Sequence, residues 1–177
     1  MATRTLRATL PVPAPEVLRR LAAPETFPGY APDLLSVDRE GDRSDWVLAF
    51  RGGAARWTQT TRTLPDRIEF EQVDGDFTSY SGHWSVTPTE PVAPAESQDG
   101  TAEPGDTTGP EGGSTVEFTV KYRTSVPHLA GAVESAVGRV LSRTALAVLT
   151  GVGGPVRITS GAYFLADLPE GGAGRAV

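Results

Sequence analysis

The chain has 177 residues, enough for one domain with a hydrophobic core, and no cysteine, so disulfides, thiolate metal sites and cysteine nucleophiles are excluded. The net charge of −6 comes from residues 88–113, which carry six acidic and no basic residues. Removing them leaves 16 of the 22 acidic residues against 16 basic ones. A neutral remainder offers nucleic acid no basic surface, so we expect no nucleic-acid partner.

The first 32 residues predict a strand and two short helices. Residues 3–10 have the composition of a strand, which prolines then close. Pro15 is typical of the first helical position and predicts a helix over residues 16–22. The stretch after it is interrupted by prolines and predicts one loose helical turn, which is the second short helix. The opening segment lacks the apolar core of a signal peptide, so we expect a cytoplasmic protein.

Residues 34–123 alternate between two kinds of side chain with a period of two, and Gly, Pro and Asp turns separate the runs. This pattern predicts antiparallel strands joined by hairpins. Alternation gives each strand an inner and an outer face. The residues expected on the inner face, and hence around any ligand cavity, are Trp57, Gln59, Phe70, Gln72, Tyr80, Trp84, Phe118 and Tyr122.

Residues 88–113 interrupt the strands with five prolines, five glycines and no aromatic residue. Such a composition cannot bury enough surface to offset the entropy of ordering it. Because strand runs of matching character flank the segment, we interpret it as a disordered acidic hairpin insertion within one domain, residues 1–150. Residues 151–177 are expected to form a tail that docks in part and frays at its end.

One long amphipathic helix is predicted over residues 129–149, with Val133, Val137 and Val140 on its inner face. Glu134, Arg139 and Arg143 interrupt its apolar sequence, so no membrane span is expected. Small residues prevail on the inner face, which suits a helix that roofs a cavity; close packing on the sheet would select the same residues. The glycine-rich residues 151–155 indicate the C-terminal end of the helix.

Several local sequences, and the order strand, short helices, antiparallel strands, long helix, resemble the polyketide cyclase/dehydrase and lipid-transport family, which has the START-like, or helix-grip, fold. The local likeness lies in residues 13–17 (PAPEV), 27–32 (FPGYAP), 70–77 (FEQVDGDF) and 81–84 (SGHW), and the overall likeness covers residues 3–149 without the insertion. The resemblance implies an α+β fold in which a curved antiparallel sheet of about six to seven strands wraps around the long C-terminal helix.

The same resemblance implies an elongated cavity for a small hydrophobic or polyphenolic ligand, or for a polyketide tethered to a carrier protein. Single-domain aromatase/cyclases of the family are thought to fold a poly-β-keto chain there and to assist aldol closure and dehydration. Their commonly discussed polar group is an arginine on a middle strand, and Arg62 lies nearest that position. Period-two counting places Arg62 opposite Trp57 unless a bulge shifts the register.

Aldol cyclisation needs a hydrogen-bond donor near the developing enolate oxygen, and Tyr80 is the candidate for that role beside Arg62. Gln59 and Gln72 either satisfy each other or meet a ligand. Two histidines without cysteine give no zinc spacing, and no phosphate loop is present, so no metal or cofactor is expected. We expect a cofactor-independent cyclase; the alternative is a non-catalytic carrier of a lipid, quinone or natural product.

Overall fold

The computed structural model describes residues 1–50, 53–89, 112–125 and 130–162. Residues 90–111 of the predicted insertion and residues 163–177 of the predicted tail lie outside the described residues. The described elements are, in chain order, β1 (Ala2–Leu10), α1 (Ala14–Leu21), a 3-10 helix (Pro24–Gly29), β2 (Leu34–Glu40), β3 (Arg43–Phe50), β4 (Gly53–Thr63), β5 (Arg67–Gly75), β6 (Phe77–Pro88), β7 (Ser114–Thr124), α2 (Ala130–Gly153) and β8 (Arg157–Ser160).

The eight strands of the described part of the chain belong to one sheet with the order β2-β3-β4-β5-β6-β7-β1-β8 and antiparallel pairing throughout. The sheet grips α2, which confirms the predicted α+β helix-grip architecture. The expected count of six to seven strands was too low. The additional strand is β8, which pairs with β1 through Thr9 opposite Arg157 and Ala8 opposite Ile158.

Side chains of one face of the sheet form the core. A row of buried apolar residues crosses four neighbouring strands, because Ile68 is opposite Trp84, Trp84 opposite Phe118, and Phe118 opposite Leu6. Pro88 is opposite Ser114, so the strands on either side of residues 90–111 are direct neighbours. The sheet thus presents one continuous apolar surface to α2.

The helix α2 differs from its prediction at its C-terminal end, which lies at Gly153 rather than at residue 149. Gly151 and Gly153 belong to the helix. A Cβ atom at Gly151 would lie 2.2 Å from the Tyr30 ring, and one at Gly153 would lie 2.1 Å from the Leu10 side chain. These glycines therefore permit close packing, while Gly154, with φ of +78°, ends the helix.

Ion pairs occur within α1 and between α2 and the residues just before β2. Hydrogen bonds from Arg19 and Arg20 lower the pKa of the Glu16 carboxyl to about 2. Arg143 of α2 forms an ion pair with Asp33, just before β2, with an Nε to Oδ2 distance of 2.8 Å. Neither described α-helix is both long enough and apolar enough to cross a bilayer.

Candidate functional site

A cavity of about 50 Å³ lies between the inner face of the sheet and the C-terminal half of α2. It is smaller than the roughly 150 Å³ apolar cavity that holds a benzene ring in an engineered protein. Six residues that the sequence pattern placed on the inner face line it: Trp57, Gln59, Phe70, Tyr80, Trp84 and Phe118. Large side chains on this face therefore surround the cavity and nearly fill it.

The helical wall of the cavity differs from the predicted one. Leu141, Thr144, Ala145 and Val148 line it, whereas Val133, Val137 and Val140 do not. Those three valines lie in the N-terminal half of α2. There the helix packs on the sheet too closely to leave a cavity, since a Cβ atom at Gly138 would lie 2.4 Å from the Tyr122 hydroxyl. The three valines predicted to line the cavity thus lie about two turns before the helical residues that do, although Val137 and Val140 belong to the buried core.

Tyr122 and Gln72 lie on the inner face but do not line the cavity. Tyr122 is fully buried, and its hydroxyl donates a hydrogen bond to the backbone carbonyl of Glu134 in α2. Gln72 is directly opposite Gln59, yet its Nε2 donates to the Phe77 carbonyl at 2.9 Å. No hydrogen bond joins the two glutamines, and Gln72 Oε1 is buried without a partner among the described residues. The Tyr122 hydroxyl and the Gln72 amide nitrogen thus bond to the backbone and do not face the cavity.

Arg62 lies on the outer face of the sheet and cannot reach the cavity. Its side chain is exposed and borders a polar surface depression with Glu69, His83 and Lys121. In the pairing of β4 with β5, Gln59 is opposite Gln72 and Thr58 is opposite Asp74, so Val73 is an extra residue in β5. Because β4 itself keeps its alternation, nothing turns Arg62 inward, and it leaves the set of candidate catalytic residues.

Aromatic rings form the wall on the strand side. The Trp46 and Trp57 rings stack with centroids 5.7 Å apart and an interplanar angle of 15°. The Tyr80 ring lies 5.0 Å from the Trp57 ring and 5.6 Å from the Phe70 ring, measured between centroids. Trp46 packs against the hydrophobic core, is half-buried, and also lines the cavity. Such flat apolar walls suit a flat ligand.

Four residues with amide or hydroxyl side chains line this apolar cavity: Gln59, Thr61, Tyr80 and Thr144. The Tyr80 hydroxyl has no hydrogen-bond partner among the described residues, although Tyr80 is only 6% exposed. Gln59 accepts a hydrogen bond from Trp57 Nε1 at 2.8 Å through Oε1, and its amide Nε2 has no partner in the described part of the chain. The buried Thr144 hydroxyl is also without a partner there. A ligand with oxygen atoms could satisfy these groups.

Burial raises the pKa of the Tyr80 phenol well above its ordinary value of about 10. Above about pH 10 the unfolded chain loses a proton that the native state retains, so this tyrosine lowers the stability of the fold as the pH rises further. We expect the Tyr80→Phe variant to lose less stability than the unmodified protein between about pH 9 and 11. Urea denaturation across this range measures the difference, and equal slopes would contradict it.

The chain matches a family model described as polyketide cyclase/dehydrase and lipid transport over residues 10–149. No curated protein matches it at the sequence level. A solved structure from Thermus thermophilus is 23% identical, covers 85% of this chain and 94% of its own, and has a TM-score of 0.65. The Zhui aromatase/cyclase from a Streptomyces species is 16% identical, with coverages of 85% and 94% and a TM-score of 0.62. A START superfamily protein from Mycobacterium smegmatis is 15% identical, with coverages of 85% and 95% and a TM-score of 0.61.

Proposed function

Because this chain belongs to the polyketide cyclase/dehydrase and lipid-transport family, we propose that it binds a hydrophobic, carbonyl-bearing polyketide intermediate and directs its aldol cyclisation and dehydration. The observation that supports this proposal is the Tyr80 hydroxyl, which is buried among aromatic rings at the cavity and has no hydrogen-bond partner among the described residues. A buried donor without a partner is satisfied when a ligand presents an oxygen atom to it.

In the proposed reaction the protein acts by holding the chain in one conformation and by hydrogen bonding. Tyr80 stays neutral because burial raises its pKa, so it acts as a donor and not as a base. Water takes the α-proton as the enolate forms, and the Tyr80 hydroxyl donates to the carbonyl oxygen on which negative charge then develops. The dehydration that follows aldol closure releases a water molecule. The stacked rings of Trp46 and Trp57 hold the ring being closed, which lowers the entropy lost on the way to the transition state.

The proposal requires the cavity to widen, because about 50 Å³ does not hold even one aromatic ring. Trp46 is the side chain best placed to move, since it lines the cavity and is only half-buried. Its indole Nε1 donates a hydrogen bond to Ser44 at 2.8 Å, and its ring stacks on Trp57. A flat ligand that replaces this stacking contact recovers most of the interaction that the moving ring gives up.

A specific observation favours a second candidate function, that of a non-catalytic carrier. Of the described residues that line the cavity, Tyr80 alone carries a titratable side chain. A site that moves protons in both directions ordinarily pairs such a group with a second one. If the protein is a carrier, the same cavity binds a flat natural product, and the polar groups orient the ligand without changing it.

The experiment that separates the two functions compares products. A reactive poly-β-keto chain is released with and without the purified protein, and the ratio of cyclised products is measured beside the affinity for a stable aromatic ketone. The proposed function predicts a ratio that differs from spontaneous cyclisation and returns toward it in Tyr80→Phe. Loss of the Tyr80 donor should slow formation of the directed product by roughly 100- to 1,000-fold, the effect that removal of one preorganised donor typically has.

The matched control is Tyr122→Phe, which removes the same atom from a neighbouring strand. That hydroxyl bonds to the backbone of α2 and does not line the cavity, so this variant should lower stability by about 1–2 kcal/mol and leave the product ratio unchanged. Tight ketone binding with an unaltered product ratio would identify a carrier and overturn the cyclase proposal. Equal effects of the two variants on product ratio would show that Tyr80 has no special part.

A further inference from the structure

Gln59 is a polar residue in the apolar wall of the cavity, and its orientation is fixed by chemistry. It is 4% exposed and lies on β4, two residues after Trp57. The Trp57 indole nitrogen can only donate a hydrogen bond, so the atom of Gln59 that meets it at 2.8 Å must be the carbonyl oxygen Oε1. The amide nitrogen Nε2 is then directed away from Trp57 and has no partner in the described part of the chain.

This arrangement gives the cavity a group that only donates. The Thr61, Tyr80 and Thr144 hydroxyls can rotate to donate or to accept, whereas the Gln59 amide nitrogen carries two hydrogens and no lone pair to offer. Trp57 holds the opposite end of the amide, so Gln59 cannot turn over to present its oxygen without leaving a buried indole N–H unbonded. A ligand group beside Gln59 must therefore be a hydrogen-bond acceptor.

The rest of the lining limits the charge of that acceptor. No lysine, arginine, histidine, aspartate or glutamate is among the described residues that line the cavity. An ionised carboxylate or ammonium group there would lose its hydration without gaining a counter-ion, which is strongly unfavourable. The acceptor is thus uncharged. A carbonyl oxygen attached to an apolar or aromatic body satisfies both conditions.

We propose that Gln59, positioned by Trp57, is the specificity-determining residue of the cavity and selects neutral ligands that carry a carbonyl oxygen. This inference rests on the proposed function only in requiring that the cavity binds a ligand, and it names the chemical class that the cavity accepts. Trp57 acts here as a positioning residue, because it fixes which end of the amide faces the ligand.

The test uses three single-ring probes of similar size: acetophenone, ethylbenzene and benzoate. Their dissociation constants are measured by calorimetry or by NMR titration with the full chain. Acetophenone should bind roughly 3- to 10-fold more tightly than ethylbenzene, the effect of about one net hydrogen bond, and benzoate should bind most weakly. The carbonyl stretching frequency of bound acetophenone should be lower than in an apolar solvent, because the oxygen accepts a hydrogen bond.

Gln59→Met keeps the size of the side chain and removes its donors, so the preference for acetophenone over ethylbenzene should fall by roughly 3-fold or more and the carbonyl frequency should rise. The double variant Trp57→Phe with Gln59→Met removes both hydrogen-bonding partners, leaves no buried indole N–H, and provides a second folded test. Trp57→Phe alone should reduce the preference without abolishing it. Gln72→Met is the matched control, since that amide bonds to Phe77 outside the cavity, and it should retain the full preference.

Four results would overturn the inference: no binding of any probe at millimolar concentration, equal affinities for acetophenone and ethylbenzene, benzoate binding as tightly as acetophenone, or an unchanged preference in Gln59→Met. The last result combined with a lost preference in Tyr80→Phe would assign the selection to Tyr80. If the product ratio stays unaltered while acetophenone still binds more tightly than ethylbenzene, the protein is a selective carrier and the proposed function is wrong. If the products are altered but acetophenone is not preferred, the protein is a cyclase in which Gln59 does not select the ligand.

Discussion

Replacement of Trp57 by alanine is expected to lower the free energy of unfolding by about 3–5 kcal/mol, the range for large aromatic residues removed from a core. Trp57 is 4% exposed, and the centroid of its ring lies 5.7, 5.5 and 5.0 Å from those of Trp46, Phe77 and Tyr80, respectively. The variant also removes the donor that holds Gln59, so a buried amide oxygen loses its partner. Urea denaturation followed by circular dichroism measures the loss.

Trp46→Ala is the control for this prediction, because Trp46 is the direct cross-strand neighbour of Trp57 and has the same side chain. It is only half-buried, and its indole bonds to Ser44 in a partly exposed position, so its removal should destabilise by about half as much. If Trp46→Ala lowered the free energy of unfolding as much as Trp57→Ala, burial would not explain the contributions of the two rings to stability. A loss below about 1.5 kcal/mol at Trp57 would contradict its place at the centre of the cluster.

Side-chain alternation along the strands predicted the residues on the sheet side of the cavity, because a period of two fixes the face on which every side chain of a strand lies. Once Trp57 faces inward, Gln59 must face inward too, and the antiparallel register then places Phe70, Tyr80, Trp84 and Phe118 on the same face. The same counting placed Arg62 outward, against the position that the family resemblance implied for a catalytic arginine. The structure agrees with the counting, since β4 carries no bulge between Trp57 and Arg62.

The helical side of the cavity could not be predicted as well, because helix α2 is apolar around a wide arc. Val137, Val140, Leu141, Ala145, Val148 and Leu149 are all buried, so the period of 3.6 identifies a broad face and no single line of contact. What selects the cavity residues is the distance between helix and sheet at each turn. That distance depends on Gly138, where the Tyr122 hydroxyl lies too close to admit a side chain, and sequence periodicity does not contain this information.

The polar details of the site also depend on three-dimensional contacts. Gln59 and Gln72 are equivalent in sequence pattern and directly opposite each other, yet one faces the cavity and the other bonds to the backbone of Phe77. The difference arises from the turn between β5 and β6, which brings the Phe77 carbonyl within 2.9 Å of the Gln72 amide. A residue pattern can place two amides on one face, but the turn decides which of the two amide nitrogens remains available to a ligand.

Replacement of Gly82 by alanine is expected to destabilise the fold by about 3 kcal/mol, at the upper end of the usual effect of overpacking a core. Gly82 lies in β6 with Phe70 and Val120 as its cross-strand neighbours. A Cβ atom there would lie 2.2 Å from the Thr119 backbone oxygen and 2.7 Å from the Phe70 ring. The contact with the Thr119 oxygen is relieved only if the backbone of a central strand shifts, which strains ladder hydrogen bonds, and the contact with Phe70 requires its ring to leave the wall of the cavity. Denaturant unfolding together with acetophenone affinity measures both consequences.

The matched control for Gly82→Ala is Gly131→Ala, the same substitution at an exposed position in the first turn of α2, where a Cβ atom meets nothing within 4 Å. Neither glycine has a positive φ, so the two substitutions differ in packing and not in backbone strain. Alanine is favoured over glycine in helices, and Gly131→Ala should therefore stabilise the protein by about 0.5 kcal/mol. If Gly82→Ala left the stability unchanged, or raised it as expected for the control, the close contact of Gly82 with β7 and Phe70 would be contradicted. The position of the Phe70 ring in the cavity wall would then also be wrong.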